Sequence, residues 1–182
     1  MHSQSDEEII QKLRNKNSSH QGFNLLVHAY QEKIYWMVRK ILISHEDTND
    51  TVQNVFLKIW NNFESFREES KLSTWIYRIA VNEALAFLKN KKILNFIPYF
   101  SVEQKLANSL IDDNFFQADE IQLKLQKALL KLPERQRLVF NMRYFDELPY
   151  EEISAILNTS EGALKASYHI AFKKIENNLR ND

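Results

Sequence analysis

No cysteine occurs among the 182 residues, which excludes disulfides, thiolate metal sites and thiol nucleophiles. Glycine and proline are almost as scarce: two and three residues stand where average usage would give roughly 22 of the two kinds together. That argues against turn-dense β folds. Gly22 and Gly162 are too far apart for a Walker loop or a dinucleotide fingerprint, so both glycine-dependent phosphate cradles are excluded. No run approaches the roughly 18 apolar residues of a membrane span. The start, MHSQSDEEII, is acidic rather than basic and then apolar, so neither anchor nor signal peptide is expected and the expected location is the cytoplasm. His2, His20, His28, His45 and His169 lack metal-ligand spacing. The acid pairs Asp112–Asp113 and Glu151–Glu152 are adjacent, which points their side chains apart on a helix. No catalytic residue, metal site or cofactor is expected.

What is present is helical periodicity and uneven charge. Apolar residues recur at helical spacing within 23–43 (Leu26, Tyr30, Ile34, Met37, Val38, Ile41) and 50–63 (Val52, Val55, Phe56, Ile59, Phe63), after a short acidic-start segment at 6–16. These predict a helical bundle. Although the formal charge is zero, residues 71–92 carry Lys71, Arg78, Lys89, Lys91 and Lys92 against Glu83 alone. Residues 95–123 carry Glu103, Asp112, Asp113, Asp119 and Glu120 against Lys105. Basic followed by acidic chain suggests different partners for different parts, or simply solvated faces. The expected organisation is all-α: a helical domain over 1–94, an acidic linker over 95–116, and a small C-terminal domain over 117–182.

In the C-terminal part the punctuation is crisp. Pro133 and Pro149 can each occupy the first helical position of the segments that follow, and Glu151 and Glu152 complement the dipole of a short helix over 150–157. Asn158 tolerates the left-handed stop, and Ser160 is a natural N-cap for a long helix over 161–179. Helix, three-residue turn and longer helix outline a helix-turn-helix. Leu164, Tyr168, Ala171 and Ile175 would pack on Ile153, Ile156 and Leu157, leaving Gly162, Ala166, His169, Ile170 and Lys173 outward. Such an outer face enters a major groove, unless the unit is an αα-hairpin with no nucleic-acid role.

The segment over 72–91 is more informative. Lys71, Trp75, Arg78, Asn82 and Lys89 fall within roughly 60° around the helix axis, while Leu72, Ile76, Ala80 and Phe87 centre about a third of a turn away. Cations bind phosphates, an amide reads a base edge, and an aromatic ring can stack on an unpaired base. The mixture suits a strand being opened, although Trp75 taken alone reads more readily as a core ring.

Two stretches carry a family resemblance. DTNDTVQNVFLKIWNNFESFREESKLSTWIYRIAVNEALAFLKNKK resembles region 2 of the extracytoplasmic-function sigma factors of bacterial RNA polymerase, and LQKALLKLPERQRLVFNMRYFDELPYEEISAILNTSEGALKASYHIAFKKI resembles region 4. The two occur in the family's order and separation. The resemblance implies a transcription initiation factor without catalytic activity, whose partners are core RNA polymerase and promoter DNA; an anti-sigma partner is common in the family. It implies that Asp50, Gln53 and Phe56, with Lys58 and Trp60 following, dock on the β′ clamp helices, core packing being the alternative for the two rings. The TWIYRIAVN run matches the part that captures the melted non-template strand of the minus-ten element, which implies roles there for Trp75, Tyr77, Arg78 and Asn82. Phe66, Arg67, Glu68, Glu69 and Ser70 lie where family members form a pocket for a flipped base. Lys71 and Lys89 complete the candidate minus-ten set. For the duplex minus-thirty-five element, read while resting on the β-flap, the carry-over gives Ser160, Lys165, Ala166, His169 and Lys173. The chain departs from the family on this last helix at Ala163, Ala166, Ser167 and Ile170, so a minus-thirty-five contact that is weak, with a shallow salt dependence, or differently specified is expected; region 2 departs separately at Ala86 and Lys89. The linker's counterpart threads towards the RNA exit path, where acidic charge would mimic nucleic acid or serve solubility. A stand-alone helix-turn-helix regulator is the competing reading, and it leaves the 71–89 stripe unexplained. An adaptor that binds no DNA is a third.

Overall fold

The computed structural model describes residues 5–94 and 120–181. The linker expected over 95–116 lies outside the described residues. Regular structure among the described residues is helical: α1 (Asp6–Arg14), α2 (Ser19–Leu42), α3 (His45–Asn62) with a 3-10 turn at Phe63–Ser65, α4 (Leu72–Leu94), α5 (Glu120–Leu130), α6 (Glu134–Tyr144), α7 (Tyr150–Leu157) and α8 (Glu161–Asn181).

Each boundary has a local cause. Ser5 caps α1 by accepting from the Glu8 amide at 3.3 Å, and Asp6, Glu7 and Glu8 fill the first turn where carboxylates favour the helix dipole. Ser44 does the same for α3 through the Asp47 amide, which starts that helix five residues before the periodicity alone suggests. Between α2 and α3 the chain reverses at Ile43, whose φ of 64° is unusual for a β-branched residue. Its side chain is 1% exposed, and burial there offsets the backbone strain. Pro133 and Pro149 sit at the N-cap, one residue outside the helices, rather than at the first helical position. Their extended ψ lets each carbonyl accept the first ladder bond, from the Arg137 and Ile153 amides at 3.0 and 3.1 Å. Asn158 is left-handed (φ 49°, ψ 53°), and Ser160 accepts from the Ala163 amide at 3.4 Å, as the turn chemistry requires.

α2 is the axis of the N-terminal bundle: Leu26, Tyr30, Ile34, Met37, Val38 and Ile41 are all buried, against α1, α3 and α4. Where α1 meets α2, Gly22 permits close approach, since a Cβ there would lie 2.6 Å from the Leu13 nitrogen and 2.9 Å from the Lys12 carbonyl carbon. Backbone atoms cannot step aside as a side-chain tip can. Gly22→Ala should therefore destabilise the protein by about 1–3 kcal/mol in urea unfolding, despite alanine's better helix propensity. Gly162→Ala, which meets open space, serves as its control.

The C-terminal helices pack around Ala128, Leu129, Leu132, Phe140, Ala171 and Ile175. They also press on the N-terminal bundle: α7 lies against α4, and Leu138, Val139, Met142, Ile153, Ile156 and Leu164 continue the bundle's core. The sequence reading separated two compact units; the described residues join them.

Candidate nucleic-acid interface

α4 carries the centre of the candidate surface. Leu72, Ile76, Ala80, Val81, Ala84 and Leu88 face inward, because α2, α3 and α7 all pack on this helix and bury a broad arc of it. The uncovered side presents Lys71 at the helix start, then Arg78, Asn82 and Lys89, all exposed and in helical phase. The ring members of the expected mixture lie deeper. Trp75 is half-buried, its ring tilted against Phe66 at 5.3 Å and edge-on to Phe63 at 6.2 Å. Phe66 is 4% exposed and Tyr77 8%. Burial, with the nearby carboxylates of Asp146, Glu152 and Asp6 acting in the same direction, pushes the Tyr77 hydroxyl up to about 12, so it stays neutral and its ring packs edge-on against Tyr30. The surface is thus cationic and amide-bearing, with an aromatic cluster beneath it.

The loop between the 3-10 turn and α4 is pinned from outside the region 2-like segment. Arg14 pairs with Glu68 at 2.6 Å and donates to the Phe66 carbonyl at 3.5 Å, and Glu68 takes a φ of 58°. Arg67, Glu68 and Glu69 remain exposed and Ser70 is half-buried. Beside this loop an open groove of about 930 Å³ is lined by Arg14, Lys16, Trp60, Asn61, Phe63 and Phe66. Sequence reasoning missed Arg14 and Lys16, because only the return of α1 along α2 brings them here.

On α3, Asp50, Gln53 and Lys58 are exposed, Lys58 pairing with Glu83 of α4. Phe56 and Trp60 are half-buried: Phe23 meets both rings edge-on, and His20 stacks on Trp60 at 5.0 Å. Leu57 was also missed. It is 54% exposed and shares a helix face with Asp50 and Gln53. Its signal was legible: an apolar residue out of phase with the buried stripe.

On α8, Leu164, Ala171 and Ile175 are buried and Tyr168 half-buried, which leaves Ser160, Lys165, Ala166, His169 and Lys173 exposed as one outer surface. Lys165 pairs with Glu161 one turn back at 3.1 Å. Gly162, Ala163 and Ala166 keep the start of this helix low, so a partner can approach its backbone closely. Ile170 and Phe172, 45% and 48% exposed, add apolar area further along. Among the described residues no group of histidines and carboxylates is arranged to hold a metal ion, and no helix is long and apolar enough to cross a membrane.

Two family models match the chain: Sigma-70 region 2 over residues 26–93, and Sigma-70, region 4 over residues 122–175. Among curated proteins, the chain is 29% identical over 178 residues to the ECF RNA polymerase sigma factor SigW of Bacillus subtilis, covering 91% of this chain and 92% of that one. It is 29% identical over 184 residues to the ECF RNA polymerase sigma-E factor of Escherichia coli K12, covering 97% and 95%. Among solved structures, CnrH in complex with the cytosolic domain of CnrY matches with a TM-score of 0.68 at 19% identity, over 97% of this chain and 96% of that one. The sigma factor RpoE in complex with the anti-sigma factor NepR from Bartonella quintana matches with a TM-score of 0.66 at 19% identity, over 88% and 98%. At that identity the solved structures speak for the fold.

Proposed function

Because the chain belongs to the extracytoplasmic-function family of RNA polymerase sigma factors, we propose that it binds core polymerase in the cytoplasm, brings it to promoters and captures the strand that separates there. The observation that carries this reading is the placement of Lys71, Arg78, Asn82 and Lys89 on one exposed stripe of α4, inside the region 2 match. Cations two to five turns apart follow a phosphate backbone, and an amide between them can read a base edge. Base capture beside the Arg67–Ser70 loop would offset the few kcal/mol of unstacking that flipping requires. Trp75 and Phe66 support that loop from below. Ribonucleotide addition belongs to the polymerase.

The α3 face with Asp50, Gln53, Leu57 and Lys58 is the candidate polymerase contact, Phe56 and Trp60 fixing its shape from within. The outer face of α8 is the candidate contact with duplex minus-thirty-five DNA. An anti-sigma protein is a further candidate partner, since both structural relatives named above were solved as complexes.

Run-off transcription with purified core polymerase on a promoter pool, with and without this protein, tests the function. Specific transcripts are expected; DNA retention without initiation would instead describe a stand-alone regulator. Asn82→Ala should lower open-complex formation, read by permanganate reactivity of the melted region, while polymerase affinity holds. Equal loss of both would remove Asn82 from the strand surface. Lys173→Ala should weaken duplex binding evenly across sequences and reduce the salt slope by about one unit. An unchanged slope would take Lys173 off the contact surface.

A further inference from the structure

The loop over 67–70 joins two buried ends and has little of its own to hold its middle. Phe66 before it is 4% exposed, and Leu72 just after it 2%. Arg67, Glu68 and Glu69 are exposed and Ser70 is half-buried, so the loop gains no rigidity from a core. Glu68 takes a φ of 58°, a left-handed conformation that a non-glycine residue keeps only where its surroundings impose it. Among the described residues, the ion pair that reaches this loop from elsewhere in the chain comes from Arg14. Its Nη2 lies 2.6 Å from a Glu68 carboxylate oxygen and donates to the Phe66 carbonyl at 3.5 Å. The two contacts clamp the loop at its entry and at its left-handed residue.

A clamp is only as firm as its mounting. α1 is fixed at both ends: Tyr30 of α2 donates to the Asp6 carboxylate at 2.6 Å, and Ser18 donates to the Lys12 carbonyl at 3.1 Å. Between them Ile9 and Leu13 are buried, and Gly22 lets the two helix backbones meet beside Leu13. Arg14 is therefore mounted on the bundle, and its guanidinium reaches a loop that starts 52 residues further along the chain. α1 precedes the residues of the region 2 match, 26–93, and that match gives Arg14 no role.

We propose, resting on the reading of the 67–70 loop as the wall of a base pocket given above, that Arg14 is a positioning residue for base selection: its ion pair with Glu68 holds the loop in the conformation that receives a flipped base. Arg14 acts through the loop and does not itself read the base. A pocket discriminates among bases only while its wall is held to a fraction of an ångström. When the loop samples other conformations, affinity for a strand carrying the right base falls by the fraction of time the wall is in place. Binding to phosphates through Lys71, Arg78 and Lys89 of α4 continues unchanged. Loss of the clamp thus lowers selectivity rather than the overall hold on the strand.

The test uses holoenzyme assembled from core polymerase and the full chain, with labelled single-stranded DNA carrying the non-template minus-ten sequence of a promoter found in the run-off pool. Each base is replaced in turn by an abasic site, and the position with the largest loss defines the captured base. The readout is the ratio of affinities, intact over abasic strand, at that position. Arg14→Ala should lower this ratio about threefold to fivefold, the upper range for a half-exposed ion pair, by weakening the intact strand alone. Glu68→Gln should do the same, and the double variant should lose no more than either single, because each removes one shared interaction. Polymerase affinity and the urea midpoint should hold in all three. An unchanged ratio in Arg14→Ala, or losses that multiply in the double variant, would overturn the positioning role. So would equal weakening of intact and abasic strands, which would make Arg14 a phosphate contact. Arg67→Ala/Glu69→Ala separates the clamp from the reading beneath it. If those loop changes leave the ratio intact, the loop is not the capture site and both fall; if they lower it while Arg14→Ala does not, the clamp alone falls.

Discussion

Trp75→Ala should lower the stability of the protein by about 3 kcal/mol in urea unfolding, with open-complex formation reduced further than the unfolded fraction explains. A large ring removed from a core costs about 3–5 kcal/mol, and the lower end applies because Trp75 keeps part of its surface exposed. The second effect follows from what the ring supports. Phe66 and Phe63 lean on it, and Phe66 begins the loop whose exposed residues Arg67, Glu68 and Glu69 border the strand surface. Without the indole the loop loses its floor while Arg14 still holds its rim through Glu68. Trp75→Phe should recover most of the stability and most of the opening activity. If Trp75→Ala left stability unchanged and abolished opening, the ring would be stacking on a base rather than supporting the loop.

Arg78→Glu should have the largest functional effect, lowering open complexes about tenfold to a hundredfold at saturating polymerase, the range of a lost charge-assisted hydrogen bond. Two consequences meet in this residue. The substitution places a carboxylate against the Ala155 carbonyl, to which Arg78 donates at 3.1 and 2.6 Å, and so weakens that contact with α7. It also turns a phosphate-binding cation into a repelling anion. At saturating polymerase the repulsion at DNA sets the size of the loss. An Arg78→Glu protein that opened promoters better than the parent would show that Arg78 serves the interdomain contact alone.

Much of this was legible in the chain. The six apolar positions picked from the periodicity of α2 are all buried, and Leu164, Ala171 and Ile175 lie inward on α8 as their spacing requires. Asn158 and Ser160 shape the turn as their chemistry predicts. Local rules failed where distant chain intervenes. Trp75 shares a helix phase with Lys71 and Arg78, yet Phe63 and Phe66 draw its ring inward. Tyr77 is covered because α2 and α7 reach α4 as well. The pairs Lys71–Glu152 and Lys40–Asp146 span 81 and 106 residues, separations that helical periodicity does not register. Nor does it place Arg14 and Lys16 beside the Phe66 loop.

The most direct measurement uses a photo-crosslinking amino acid at position 82 in a holoenzyme stalled at an open promoter. The account predicts a crosslink to the non-template strand within the melted segment, absent from the closed complex. Crosslinks confined to the template strand, to duplex DNA upstream or to polymerase would contradict it.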